Sequence, residues 1–453
     1  MKRFSVHQMR NGIMFLCKLL ITASVLGAFL YLITNYYPEM DFWFKGFVIF
    51  EVLYFFIYMT FATTYRCFQI GILRLRELVL MFYIAVFLTN FITYFALSLS
   101  AKLMLNPVPL LVTTLVQWVV GAILYALSNR LYFALHPARV AIMICAEDRC
   151  EDDVLKKFSA IREKYVVQKV CKETEGLEQL LAEIEPYSSV ILGAVKNELR
   201  MELTAYCFDN NKRLFVVPSV QDIIFHNAHE TFVGDSLVYV CRNKTFSLEQ
   251  LLVKRAMDIF FSLLGIVVTS PIMLLAALII KLQDGGPVFF RQVRYTRNLK
   301  RFTLIKFRSM VENAEANGAQ FTVEHDPRIT PFGRFLRASR IDELPQFFNI
   351  LAGDMSFVGP RAERIENVDY YCELMPEFRY RMKVKAGLTG YAQIYGKYNT
   401  TYEDKLKLDL LYIENCSLVK DLQLMLLTLR VLIIGDSTEG FEEKTLSDIP
   451  VEK

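Results

Sequence analysis

Residues Ala256 to Ile280 read AMDIFFSLLGIVVTSPIMLLAALII, an apolar run long enough to cross a bilayer, which takes about 20 residues. Two features argue against a plain span. Asp258 lies in its first turn, and Ser270-Pro271 sits at its middle. A proline removes one intrahelical hydrogen bond and bends the helix, while a preceding serine is placed to satisfy the freed carbonyl. The flanks point the same way. Lys254 and Arg255 precede the run, and Lys281, Arg291, Arg294, Arg297, Lys300, Arg301, Lys306 and Arg308 follow it, against the single acid Asp284. A full crossing would carry that basic stretch outward, against the positive-inside bias. The segment is therefore expected to be re-entrant, bending at Ser270 and Pro271 and returning to the cytoplasmic face.

Downstream, Arg334 to Arg361 read RFLRASRIDELPQFFNILAGDMSFVGPR, with Asp342 and Glu343 set among Arg334, Arg337, Arg340 and Arg361. Arginine forks hold phosphate oxygens bidentately, and neighbouring acids supply a divalent-metal ligand and a nucleophile or base. Pro345 suits a first helical turn, which would put both acids at or just before a helix N-terminus. Basic neighbours and the helix dipole are expected to keep Asp342 ionised at neutral pH.

Upstream, four stretches are long and apolar enough to span: Ile13 to Tyr36, Phe42 to Thr64, Leu78 to Leu97 and Val108 to Ala126. The first is long, lacks a small-residue cleavage site and runs straight into the second, so it reads as a span and not as a signal peptide. Lys2, Arg3, Arg10, Arg66, Arg74, Arg76, Arg130 and Arg139 fall on the loops that would face the cytoplasm, which places both ends of the bundle there. The chain has 453 residues, 54% hydrophobic and 22% charged, too apolar for an ordinary soluble enzyme. A net charge of +4 gives a nucleic-acid role no support. Nine scattered cysteines without a CxxC pair fit reduced cytosolic thiols. His226 and His229 have no companions to complete a zinc set and read as a surface pair.

Between Arg139 and Pro218, the runs VAIMIC, VVQKVC, SVILGA and RLFVVP alternate with helical patterns, the rhythm of a small parallel βαβ sheet. The first βα turn reads CAEDRCEDD and lacks the glycines of a dinucleotide fingerprint. A structural, regulatory or dimerising role is favoured over nucleotide binding. Leu418 to Ile434 is apolar but interrupted by Lys420, Asp421 and Arg430, so it is expected in the interface or against the catalytic core. The tail from Asp436 to Lys453, with six acids and two lysines, reads as disordered.

From Leu251 to about Gly435 the chain resembles the bacterial sugar transferases that start glycan assembly on polyprenyl phosphate, the monotopic phosphoglycosyl transferases. The resemblance runs in order through KRAMD (254–258), the Ser270-Pro271 helix, GPVFFRQVR (286–294), KFRSM (306–310), HDPRITPFGRFLR (325–337), DELPQ (342–346), GDMSFVGPR (353–361) and GLTGYAQ (387–393). The segments in front resemble the long-form members that open capsule, O-antigen or exopolysaccharide synthesis. One departure is Ala362, where the family usually continues GPRP, and it would loosen the turn on the Arg361 side.

The resemblance implies an integral membrane α-helical bundle plus α/β architecture. Residues 1–135 form four transmembrane helices, and 136–250 a degenerate Rossmann-like domain without nucleotide-binding glycines. Residues 251–435 form a mixed α/β catalytic domain with a re-entrant membrane helix at 256–280, and 436–453 the acidic tail. The implied reaction moves a sugar 1-phosphate from a UDP-sugar to undecaprenyl phosphate and releases UMP, at the cytoplasmic face of a bacterial inner membrane. It makes Asp342 the nucleophile of a covalent phosphosugar intermediate and Glu343 the Mg²⁺ ligand, with Arg337, Arg361, Lys306 and Arg308 on substrate phosphate. Lys254, Arg255 and Asp258 would lie near the lipid phosphate. Downstream glycosyltransferases and a flippase would take the product, and the spans and α/β domain offer surfaces for a homodimer. Two rival readings are a membrane glycosyltransferase that moves the sugar without its phosphate and a non-catalytic scaffold of polysaccharide synthesis. UDP-galactose, UDP-glucose and a UDP-N-acetylated aminosugar all suit the site.

Overall fold

The computed structural model describes residues 6–37, 44–146, 154–158, 161, 163–226, 228–241, 246–312, 326–396 and 400–434. The acidic 147–153 turn and the 436–453 tail, both given roles above, lie outside the described residues. The chain divides into two compact units, Met1–Val217 and Pro218–Lys453.

The first unit opens with four long helices: α1 (Val6–Tyr36), α2 (Phe44–Thr64), α3 (Leu75–Ala101) and α4 (Val108–Leu135). Each is long and apolar enough to cross a membrane. Their packing surfaces carry a closed polar network. Tyr54 Oη donates to Asn90 Oδ1 at 2.8 Å, Asn90 Nδ2 donates to Thr114 Oγ1 and Gln117 Oε1 at 2.8 Å, and Gln117 Nε2 returns to Tyr54 Oη and Val25 O at 2.9 Å. In an apolar surround these groups have no water to turn to, so the network holds the helices in one register.

The same unit continues into four parallel strands, β1 (Arg139–Cys145), β2 (Tyr165–Lys172), β3 (Ser189–Leu192) and β4 (Arg213–Val216), ordered β2-β1-β3-β4. Helices α5 (Leu177–Ile184) and α6 (Asn197–Asp209) cover one face through Leu180, Ile184, Leu203 and Cys207. Val154 and Phe158 cover the other through Ala141, Met143 and Ile191. The expected parallel sheet is therefore present, with its core strands buried on both faces. The eight described cysteines are all free.

The second unit begins with α7 (Val220–His226) and a hairpin of β5 (His229–Val233) and β6 (Ser236–Val240). Helix α8 (Leu248–Asp284) follows, started by a capping box between Ser247 and Gln250 and ended by Gly285 at φ 71°. It is helical across Pro271 and is not interrupted there. Pro271 cannot donate to Val267 O, and Ser270 Oγ takes that carbonyl instead at 2.8 Å. Both halves of α8 pack against the same domain. Before the proline, Asp258 accepts from Ser356 Oγ and from the Phe357 amide at 3.0 Å, and Gly265 lies against the Phe347 ring. After it, Met273, Ala276 and Ile280 share a core with Phe307 and Leu336. The remaining face is bare, with Phe260, Leu263, Val267, Ile272, Leu275 and Leu278 exposed.

Strands β7 (Phe289–Tyr295) and β8 (Arg301–Phe307) form an antiparallel ribbon. Next come α9 (Pro331–Ala338), a 3-10 turn at Ile341–Glu343 and α10 (Gln346–Ala352). β9 (Ser356–Val358), α11 (Ile365–Leu374), β10 (Gly387–Thr389) and α12 (Tyr391–Tyr395) lead to α13 (Tyr402–Glu414) and α14 (Leu418–Ile434). Helix α14 buries Asp421, Leu424 and Leu427 and packs against β9, β10 and α12, so it lies against the body of the second unit, one of the two places expected for it.

Candidate active site

The Asp342-Glu343 pair is positioned by the segments on either side. Thr330 caps α9, its Oγ1 accepting from the Gly333 amide at 2.9 Å, with Pro331 in the first turn. A Cβ on Gly333 would stand 1.9 Å from Ser309 O, so the helix can approach the segment after β8 this closely only with glycine there. On the far side, Asn349 of α10 ties into β8, accepting from the Ile305 amide at 3.0 Å and donating to Thr303 O at 2.8 Å. These two anchors hold the short turn between them over Lys306.

Pro345 occupies the cap position before α10, not its first turn, and α10 is only seven residues long. The acids lie just before that helix, as expected, in a 3-10 turn whose entry residue, Arg340, has φ 58°. Both acids are buried, at 8% and 9% exposure.

Their surroundings separate them. Glu343 Oε1 receives Arg361 Nη2 at 2.8 Å and Lys306 Nζ at 2.9 Å, with Arg340 Nη1 at 3.9 Å. Burial acts to raise its pKa, but Arg361, Lys306 and Arg340 outweigh it and hold Glu343 well below the usual carboxylate range. Asp342 moves the other way. Burial pushes it up, its neighbour Glu343 adds to the rise, and Lys306, Arg337 and Arg340 offset only part of it. Burial thus works against the ionised state that the basic neighbours favour. Asp342 Oδ1 is buried and accepts no hydrogen bond from the described residues.

The other expected phosphate contacts divide. Arg337 Nε donates to Ser309 Oγ at 2.9 Å and bears electrostatically on Asp342. Arg308 pairs with Asp284 at the end of α8, and its Nη1 is buried without a partner. Lys254, Arg255 and Asp258 are engaged inside the domain. Lys254 Nζ lies 2.5 Å from Asp421 Oδ2, and Arg255 donates to Ile350 O and Leu351 O at 2.7 Å, closing the end of α10. Asp258 holds β9, as described above.

The Arg361 side is tightly built. Ala362 is buried with Phe302, Leu304, Ile350, Met355 and Ala386, and its carbonyl accepts from Arg294 at 3.2 Å. Arg361 O accepts from Arg381 at 3.1 Å, and Pro360 O accepts from the Gly387 amide at 2.8 Å. A Cβ on Gly387 would stand 2.1 Å from the Gly359 amide nitrogen, which explains glycines at both positions. Packing and these bonds hold the backbone at Ala362, where the family pattern has a proline.

Sequence reading missed the acids behind this wall. Asp409 lies 2.5 Å from Arg381, both nearly inaccessible, and Glu363 lies 3.7 Å from Lys405. Burial would raise Glu363, yet Lys405, Arg381, Arg361 and Arg294 bring it down to about 2. No local motif marks Asp409 or Lys405, since their partners are distant in the chain.

Among the described residues, no group of three histidine, cysteine or acidic side chains forms a metal cage. Two adjacent buried carboxylates, one with an orphaned oxygen, do suit a cation such as Mg²⁺ that takes one or two carboxylates and completes its shell with substrate phosphate and water.

Residues 249–435 match the family model described as bacterial sugar transferase. Over 186 residues the chain is 42% identical to a UDP-N-acetylgalactosamine-undecaprenyl-phosphate N-acetylgalactosaminephosphotransferase of Aeromonas hydrophila, covering 40% of this chain and 44% of that protein. It is 42% identical over 180 residues to a UDP-glucose:undecaprenyl-phosphate glucose-1-phosphate transferase of Klebsiella pneumoniae, covering 39% of each. The matched part thus spans less than half of these two relatives. It is also 40% identical over 199 residues to the exopolysaccharide production protein PSS of Rhizobium leguminosarum bv. phaseoli, covering 42% of this chain and 98% of that shorter protein. With nearly the whole of that relative matched at this identity, the chain belongs to the bacterial sugar transferase family.

Proposed function

We propose that the protein transfers a sugar 1-phosphate from a UDP-sugar to undecaprenyl phosphate, releasing UMP, as the first membrane step of a polysaccharide pathway. The observation that carries this is the buried Asp342-Glu343 pair ringed by Lys306, Arg337, Arg340 and Arg361, on a domain whose α8 carries a bare apolar face. One substrate is a soluble diphosphate and the other a lipid phosphate, and such a site brings cations and an apolar surface together. That both halves of α8 pack on one domain supports a re-entrant helix, with the site at headgroup height on the cytoplasmic face.

Asp342 is the nucleophile in this reading. A free oxygen of its carboxylate attacks the sugar-proximal phosphorus, the bond to the UMP oxygen breaks, and UMP leaves with the electron pair. An oxygen of undecaprenyl phosphate then attacks the same phosphorus and returns Asp342 as carboxylate. The weak hydrogen bonding of Asp342 leaves a lone pair ready for attack, and the cations around it draw the diphosphate in. Arg361, Arg337 and Lys306 bind the phosphate oxygens, with Arg308 on the α8 side. Glu343, kept ionised by the same cations, and Asp342 would hold Mg²⁺, which when bound neutralises charge on the phosphates.

The named relatives carry different sugars, N-acetylgalactosamine and glucose, on this shared core. Family membership therefore leaves the sugar open to assay. The test is a UDP-sugar labelled on the sugar-proximal phosphate, offered with undecaprenyl phosphate. Label entering the lipid together with UMP release is expected. Sugar entering the lipid without that label would make the protein a glycosyltransferase, and no transfer across a panel of UDP-sugars would favour a scaffold.

A further inference from the structure

Within the first unit, a cavity of about 260 Å³ opens where α1 and α4 meet the sheet. Its lining brings together Lys18, His136, Arg139, Lys164 and Arg213, and no acid lines it among the described residues. The topology explains the convergence. In a parallel sheet all strands begin at one edge, and β1, β2 and β4 begin at Arg139, Tyr165 and Arg213. This is the edge opposite the carboxyl ends where nucleotides bind in such sheets, so the cavity is not a displaced cofactor site.

The cations are held in place but not neutralised. Arg213 Nη1 donates to Tyr165 Oη at 2.8 Å, and Lys164 Nζ stands 5.7 Å from the centre of the Tyr132 ring. No described carboxylate forms an ion pair with Lys18, Arg139, Lys164 or Arg213. Burial lowers the Lys164 pKa and the nearby Arg213 lowers it further, the mark of cations crowded without a counter-charge. Part of the lining is apolar. Met14 and Ile70 contribute it, and the neighbouring Phe15 and Leu19 of α1 are exposed on the flank that would meet lipid. Helix α1 has 31 residues, about 46 Å of helix against a hydrocarbon core of about 30 Å, which leaves its first turns and Lys18 near headgroup level.

We propose that this cavity binds the phosphodiester headgroup of an anionic membrane phospholipid, with an acyl chain running along Phe15 and Leu19. A phosphate there would relieve the repulsion among the four cations. The apolar part of the lining favours a lipid over a soluble phosphate. The proposal depends on α1 and α4 spanning the membrane and not on the chemistry at Asp342.

The test uses the full chain in mild detergent, stripped of lipid and then offered phosphatidylglycerol or phosphatidylcholine, with retained lipid read by native mass spectrometry. Phosphatidylglycerol is expected to be retained and to raise the melting temperature, and phosphatidylcholine is not. Removing basic side chains at a membrane surface costs about fivefold each. The double variant Lys164→Gln/Arg213→Gln should therefore lose retention by at least about tenfold, while Lys164→Arg/Arg213→Lys, which tests for a folding defect, keeps it. The Asp342→Asn protein should bind as wild type does, which separates this site from the transferase reading. Equal retention of both lipids, unchanged retention in the double variant, or loss in the conservative one would overturn the proposal. So would displacement by soluble glycerol phosphate at the same concentration as lipid, which would mark a site for free phosphate.

Discussion

Arg361 Nη2 lies 2.8 Å from Glu343 Oε1, joining the loop after β9 to the turn before α10, and Lys306 from β8 reaches the same oxygen at 2.9 Å. One carboxylate oxygen thus ties three chain segments. That arrangement accounts for the different environments of the two acids. Glu343 takes the cations, and Asp342 keeps an oxygen free.

Replacing Asp342 by Asn removes the attacking oxygen but keeps the shape. Turnover should fall by about a thousandfold or more, and labelled phosphosugar should no longer be trapped on the protein. Gel analysis after a single turnover checks this. Full activity in the variant would mean that the lipid phosphate attacks the diphosphate directly.

Glu343→Gln leaves Lys306 and Arg361 without their shared counter-charge. Fully buried pairs lose about 3–5 kcal/mol on such a change, and the 39% exposure of the Arg361 side chain reduces that to about 2 kcal/mol. A lower melting temperature together with a weakened Mg²⁺ dependence is expected. An unchanged metal titration would remove Glu343 from the metal site.

Lys254 and Asp421 form a pair with side-chain exposures of 13% and 3%. Lys254→Met should destabilise the protein by about 3 kcal/mol, because it leaves Asp421 buried beside Tyr412 without its cation. Adding Asp421→Leu should restore much of that loss and leave the KM for undecaprenyl phosphate near wild type. A raised KM at unchanged stability would instead place Lys254 on the lipid phosphate, as expected from its juxtamembrane position.

Glu363 provides a pH test. Its folded pKa of about 2 lies below the ordinary 4.5, so its contribution to stability is complete above about pH 4.5 and is lost as pH falls toward 2. In detergent, the melting temperature of Glu363→Gln should fall less steeply between pH 5 and pH 3 than that of wild type. Parallel curves would show that its cations do not stabilise the charged form.

The course of α8 is open to labelling. Single cysteines at Leu252 and Leu282, both exposed and on opposite sides of Pro271, should react with an impermeant reagent from the same side of sealed vesicles. Reaction from opposite sides would make α8 a spanning helix.

The sequence by itself determined the apolar segments, the parallel-sheet rhythm and the Arg-framed acids, because hydropathy, strand alternation and charge density are local properties of the chain. It also marked Ser270 and Pro271, whose pairing through Val267 O is a matter of five consecutive residues. Only the tertiary structure decided which cations reach which acid. Lys306 and Arg361 lie 37 and 18 positions from Glu343, and Lys254 lies 167 from Asp421, so no periodicity links them. The direction of the Asp342 shift was hidden for the same reason. Neighbouring charges can be counted along a chain, but desolvation depends on what folds over the group, and here burial outweighs the arginines.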